Sequence, residues 1–132
     1  MSAVRIGDSA SERRRITAAD IERFADLSGD HNPVHLDADF AATTRFGRPI
    51  AHGIFAATLI SSVLATRLPG PGTIYLSQSL QFKLPVYIGD EITTTVVVTA
   101  VRDDKPIVTL STVCQNQDGK RVVEGEAVVL LT

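Results

Sequence analysis

Apolar and polar positions change period twice along this chain. Thr17-Ala18-Ala19-Asp20 has the form of a helix start, with a hydroxyl to cap and an acid in the first turn. Ile21, Phe24, Ala25 and Ser28 then share one face, while Asp20, Glu22, Arg23 and Asp26 lie elsewhere, so the spacing predicts an amphipathic helix that stops at Gly29. Asp37 to Thr43 reads as a further short helix capped by Asp37. From His52 to Thr66 no charge falls on any face, the pattern of a helix buried on all sides, which needs other elements to wrap it.

The second half of the chain supplies the wrapper. Thr73–Lys83, Glu91–Arg102, Ile107–Gln115 and Arg121–Leu131 are rich in Val, Ile and Thr and read as strands. The links between them are turn-like: Pro85 to Asp90, Arg102 to Pro106, and Gln117-Asp118-Gly119-Lys120, whose Asp-Gly is a strong hairpin signal. In the last strand Val123, Gly125, Ala127, Val129 and Leu131 face one way and Glu124 and Glu126 the other. Small side chains at Gly125 and Ala127 would let this sheet approach a helix closely. The pattern alone predicts an α+β fold, with antiparallel strands curled round one buried helix.

The chain has 132 residues, the length of one domain, and 1–132 is read as a single unit. With 44% hydrophobic residues and no Trp, its core rests on Val, Ile, Leu and Ala. Net charge is −2, and Arg13-Arg14-Arg15, which precede a helix rather than line a face, are too little for a nucleic-acid surface. The lone Cys114 rules out an internal disulfide, fits a reducing compartment, and sits in a strand as a buried structural thiol. The N-terminus lacks an apolar signal core, and the uncharged run Pro49–Thr66 is shorter than the roughly 20 apolar residues of a membrane span. A cytoplasmic protein without membrane or nucleic-acid partners is expected.

Candidate chemistry lies in Ser28-Gly29-Asp30-His31-Asn32-Pro33-Val34-His35. Asp30 and His35 sit five positions apart across a proline, and together they can polarise one water. Pro33 fixes its own φ and pushes Asn32 toward extended backbone, so a shaped loop is expected here. Asn32 can fix that loop by bonding its own backbone. Downstream, Arg48-Pro49-Ile50-Ala51-His52-Gly53 opens the uncharged helix. The Gly53 N–H is then placed to hold a negative oxygen, with no side chain to block its approach. His52 is read as structural. A metal site built on His31, His35, Asp30, Asp37 and His52 is the rival, but Pro33 between the two histidines argues against a shared helix face, and no metal is expected. No Gly-x-Ser-x-Gly elbow exposes a serine, which argues against a hydrolase triad.

The run Phe24 to His35 with Phe40-Ala41-Ala42, then His52-Gly53, Ser61 and Gln78-Ser79-Leu80-Gln81-Phe82-Lys83-Leu84-Pro85-Val86, resembles the MaoC-like hydratases. These are (R)-specific enoyl-CoA hydratases of the hot-dog fold. The resemblance covers nearly the whole chain, including the short members that feed polyhydroxyalkanoate synthesis. It implies a hot-dog domain, Asp30 and His35 as catalytic dyad, the Gly53 N–H as oxyanion donor, and Ser61 as an active-site hydroxyl. By bare residue reading, Ser61 could equally bond the carbonyl four residues back.

The expected reaction is syn addition of water to a trans-2-enoyl-CoA, giving (R)-3-hydroxyacyl-CoA. His35 is the expected base and Asp30 the acid, though sequence leaves the roles exchangeable. No cofactor is required, since coenzyme A is part of the substrate. The alternatives are a (3R)-hydroxyacyl-carrier-protein dehydratase, a hot-dog acyl-CoA thioesterase and a noncatalytic acyl-binding subunit. Leu64 lies one turn beyond Ser61, and Val129 belongs to the inward set of the last strand. Both are expected to bound a short acyl pocket, or else to be plain core. An exposed sheet edge predicts a homodimer joined edge to edge.

Overall fold

The computed structural model describes residues 4–132. Ten elements follow in order: β1 (Ser9–Arg15), α1 (Ala18–Ser28), α2 (Pro33–Leu36), α3 (Ala38–Ala42), α4 (Phe55–Thr66), β2 (Ile74–Gln78), β3 (Gln81–Phe82), β4 (Glu91–Val101), β5 (Ile107–Gln115) and β6 (Arg121–Leu130). The strands form one antiparallel sheet in the order β1-β4-β5-β6-β2, with β3 also pairing β6. Alternation sets its inner face. Ile92, Thr94, Val96 and Val98 of β4 and Val108, Leu110, Thr112 and Cys114 of β5 are buried, while the residues between them are half-exposed. α4 packs on that face and contributes Phe55, Ala56, Ile60, Val63 and Leu64 to one core cluster with Val96, Val98, Leu110, Ala127 and Val129.

Local signals placed the first helices well. Thr17 and Asp20 form a reciprocal capping box at the head of α1, and Gly29 ends it at φ 80°, a left-handed conformation that favours glycine. Asp37 caps α3 by accepting from the Asp39 and Phe40 N–H groups. Cys114 is buried, with Thr94 Oγ1 3.5 Å from its sulfur, and burial pushes the thiol up from its ordinary value.

Several expectations need correction. Arg13–Arg15 do not merely precede a helix: they end strand β1, which pairs with β4 from Ser9↔Val97 to Arg15↔Glu91. Its side chains are polar because this edge strand is largely exposed, and its arginines meet carboxylates. Arg14 binds Asp20 at 2.6 Å and Arg15 binds Glu91 at 2.8 Å. Pro33 does not keep His35 out of a helix. It occupies the first position of the short helix α2, where a missing N–H costs nothing, and Asn32 caps it. The uncharged helix begins at Phe55 rather than His52, and Thr58, Ser62, Ala65 and Thr66 leave one stripe of it exposed.

The strand expected over Thr73–Lys83 is broken into β2 and β3. Gly125 explains the break, and not through a helix. A Cβ there would lie 1.8 Å from the Ser79 carbonyl oxygen, so the backbone linking β2 to β3 crosses directly over this glycine. The crossing is held by Ser79 N–H to Glu126 O at 2.9 Å, Glu126 N–H to Ser79 Oγ at 3.0 Å and Gln78 Nε2 to Thr112 Oγ1 at 2.9 Å. It delivers Phe82 and Lys83 to the cleft described next.

Candidate active site

Two loops meet to build the site. After the glycine stop of α1, Asp30 N–H donates to Ser28 Oγ at 3.1 Å, and the Asp30 carboxylate accepts the Asn32 N–H at 3.1 Å. Asn32 Oδ1 accepts the Val34 N–H at 3.2 Å and so starts α2, which carries His35. The opposing loop is fixed by Ala51 N–H to Val86 O at 2.7 Å and Ile50 N–H to Val34 O at 3.3 Å. His52 and Gly53 follow in the turn before α4.

The loops are stitched by two imidazoles reaching in opposite directions. His35 Nδ1 lies 2.8 Å from Ile50 O, and His52 Nε2 lies 2.9 Å from Asp30 O. A carbonyl only accepts, so each of these nitrogens carries the hydrogen. The uncharged His35 ring therefore has a bare Nε2 lone pair. The two rings stack, with centroids 3.8 Å apart and planes inclined by 29°. Phe24 of α1 packs against His52 at 4.9 Å and edge-on against Phe55 at 5.5 Å. Burial lowers the His35 pKa below 6.5 and nearby His52 pushes the same way, outweighing the Ile50 hydrogen bond and the Asp30 charge.

Asp30, His35 and His52 offer ligand-type atoms that all lie within 4.8 Å of one another. One water between Asp30 and His35 fits that spacing at ordinary hydrogen-bond lengths. A shared metal does not fit the two rings. Zinc bonds to imidazole lie in the ring plane at about 2.0–2.1 Å. With ring centroids 3.8 Å apart and planes inclined by only 29°, the in-plane lone pairs of the two stacked rings run nearly parallel and do not converge on one point at that length.

His35, His52 and Gly53 line a cleft of about 290 Å³, walled by Phe46, Phe55, Ala56, Leu59, Phe82 and Val86, with Arg45 and Lys83 also in its lining. Asp30 stands beside His35, outside that lining. Among the described residues no acceptor engages the Gly53 N–H. The Phe82 ring closes over this glycine, so that a Cβ would meet Phe82 at 3.0 Å. The other sequence candidates lie elsewhere. Ser61 is half-buried in the middle of α4, while Leu64 and Val129 are fully buried in the core, and none of the three lines the cleft. Leu64 and Val129 share a core cluster with Phe55, Ala56 and Val123, which also wall the cleft. His31 is exposed and engaged with Asp26 at 3.1 Å. His52, read from the sequence as structural, and Phe82, present only within the family-like run Gln78–Val86, are the site residues to which the sequence assigned no part in the chemistry. Their signal was position alone, His52 beside Gly53 and Phe82 inside that run.

Comparison with known proteins agrees with this geometry. Residues 4–125 match the family model described as MaoC like domain. The chain is 56% identical over 126 residues to an (R)-specific enoyl-CoA hydratase of Aeromonas caviae, covering 96% of this chain and 94% of that protein. It is 52% identical over 128 residues to an (R)-specific enoyl-CoA hydratase of Rhodospirillum rubrum, covering 97% of this chain and 88% of the relative. The solved structure of an (R)-hydratase of A. caviae involved in PHA biosynthesis superposes with a TM-score of 0.96 at 53% identity, covering 100% of both chains. Sheet order, central helix and these matches agree: the chain belongs to the MaoC-like domain family and has the hot-dog fold.

Proposed function

We propose that this chain, acting as one domain, is an (R)-specific enoyl-CoA hydratase that adds water to short trans-2-enoyl-CoA thioesters. The observation that carries the reading is the fixed His35 ring. Ile50 O holds the hydrogen on Nδ1 and leaves Nε2 bare, and a nitrogen of this ring lies within 4.8 Å of an Asp30 carboxylate oxygen. In this reading His35 Nε2 takes a proton from water as its oxygen bonds to C3, and Asp30 relays a proton to C2 on the same face. Over the cycle the water supplies both the hydroxyl on C3 and the hydrogen on C2. Charge moving onto the thioester oxygen is met by the Gly53 N–H ahead of the α4 N-terminus. Asn32 holds the loop; Leu64 and Val129, which do not line the cleft, bear on acyl length only through Phe55, Ala56 and Val123, the core residues that wall it, and Ser61 on α4 lies outside the lining as well. No cofactor is needed beyond the coenzyme A of the substrate.

The test is loss of the enoyl absorbance of crotonyl-CoA, with free thiol followed separately. Asp30→Asn and His35→Ala should each lower turnover at least about 100-fold with the fold retained. Thiol release would indicate a thioesterase, preference for a carrier-protein substrate would indicate the dehydratase, and near-normal activity in either variant would sink the dyad.

The active form in this reading is a homodimer. β2 is one of the two edges of the sheet, with Leu76 51% exposed, and Phe82 on β3 is 55% exposed beside the cleft. A second copy pairing at this edge would cover them. A stable, fully active monomer by light scattering would refute this. No helix among the described residues is long and apolar enough to cross a membrane, and the unpaired, buried Cys114 suits a cytoplasmic location.

A further inference from the structure

His52 presents a problem that core packing does not solve. It is 3% exposed, and its Nδ1 is buried with no hydrogen-bond partner among the described residues. An unpartnered buried polar atom costs free energy that a phenylalanine or leucine in the same space would avoid. The other ring nitrogen shows what the imidazole gives in return. It ties the main-chain carbonyl of Asp30 at 2.9 Å, while the ring face lies against His35 at 3.8 Å. Phe24, reaching over from α1, packs against the same ring with centroids 4.9 Å apart. One side chain thus touches both members of the dyad and sits next to the Gly53 amide.

We infer that His52 is a positioning residue of the hydration reaction, holding Asp30 by donating Nε2–H to its carbonyl and holding the plane of His35 by stacking. The inference rests on the dyad reading above and extends it to a third side chain. Asp30 is exposed and its loop follows a glycine, and among the described residues no other hydrogen bond from the opposing loop reaches its main chain. A misplacement of about 1 Å in a reacting group costs on the order of 100-fold in rate. Freeing the Asp30 backbone should therefore appear in kcat more than in KM.

The experiment compares crotonyl-CoA hydration by wild type, His52→Ala, His52→Gln and His52→Phe, with a thermal melt of each. A glutamine amide nitrogen can stand where Nε2 stands and keep the bond to Asp30, whereas phenylalanine keeps a ring but no donor. His52→Ala is expected to lose about 10- to 100-fold in kcat with KM within about threefold. His52→Gln should return to within about fivefold of wild type, and His52→Phe should stay low however well it folds. If His52→Ala does not fold, the Gln and Phe variants decide alone. Wild-type kcat in folded His52→Ala, or a Gln variant no better than Phe, overturns the inference. Asp30→Asn and His35→Ala run alongside. If they remain active the dyad reading falls first; if they are dead while His52 variants turn over normally, only the role of His52 falls.

Discussion

Gly125→Ala is a one-carbon change with a calculable consequence. The new Cβ would sit 1.8 Å from the Ser79 carbonyl oxygen and 2.7 Å from its carbon, whereas Cβ contacts closer than 3.0 Å are essentially never tolerated. The atoms in the way are backbone, so no side-chain rotation relieves the clash. The crossing between β2 and β3 must retreat by about 1.2 Å. That retreat stretches the two Ser79–Glu126 bonds and the Gln78–Thr112 bond, all between 2.9 and 3.0 Å. Overpacking of this kind costs about 1–3 kcal/mol. Stretching these hydrogen bonds without breaking them adds about 1 kcal/mol between them, for roughly 2–4 kcal/mol in all. In a domain of this size 1 kcal/mol moves the melting temperature by roughly 3–5 °C, so a fall of roughly 6–20 °C is expected at fixed protein concentration. Ser79→Ala, which removes only the hydroxyl bond, should fall by roughly 3–5 °C. A Gly125→Ala protein melting within about 2 °C of wild type would show that the crossing is not where the reasoning puts it.

Three further outcomes follow from the site. Gly53→Ala places a methyl 3.0 Å from Phe82, narrowing the approach to the amide, and should lower kcat/KM for crotonyl-CoA about 10- to 1,000-fold with little change in melting temperature; unchanged kinetics would remove Gly53 from the oxyanion role. Burial and His52 together set the His35 pKa below 6.5, so the acid limb of the kcat/KM profile should lie below pH 6.5, where the base takes up its proton. The sign for stability is the same: the uncharged ring's contribution is whole above pH 6.5 and is lost as pH falls through the lower folded value. A limb above pH 6.5 would contradict both. Leu64→Ala should raise relative activity on octenoyl-CoA over crotonyl-CoA if Leu64 bounds the acyl pocket; equal loss on both, with a stability cost of about 2–5 kcal/mol, would make it core alone.

What the sequence made legible was local. A capping box, a glycine stop, a capping aspartate and an Asp-Gly turn each act within four residues, and Thr17, Gly29, Asp37 and Gly119 all stand where those rules put them. The alternation of β4 and β5 was readable for the same reason. β1 was not, because Ser9–Arg15 carries no apolar period and becomes a strand only by pairing with β4. Gly125 was correctly marked as a place of close approach, but the partner that approaches is 46 residues earlier in the chain. His52 read as an ordinary junction residue because its role depends on Asp30 and His35 arriving from another loop.

The charge-free helix gives the sharpest disagreement, and its physics points outward from the single chain. A helix lying on a sheet with one face in water normally carries charge on that face. In α4 the exposed stripe is Thr58, Ser62, Ala65 and Thr66, small and uncharged throughout. The sheet edge at β2, at the opposite end of the sheet from β1, exposes apolar residues of its own, Ile74, Tyr75 and Leu76. Solvation of a monomer requires neither pattern. Both suit surfaces that a second copy covers, because small residues let backbones approach and an unpaired strand edge seeks another strand. The expectation that α4 is buried on all sides and the exposure seen in one chain are reconciled if burial is completed by association. A charge written into either surface, such as Leu76→Lys on β2, should then weaken self-association and activity together while leaving the core residues Ile60, Val96 and Leu110 untouched. A Leu76→Lys protein that sediments and turns over as wild type does would break that reconciliation.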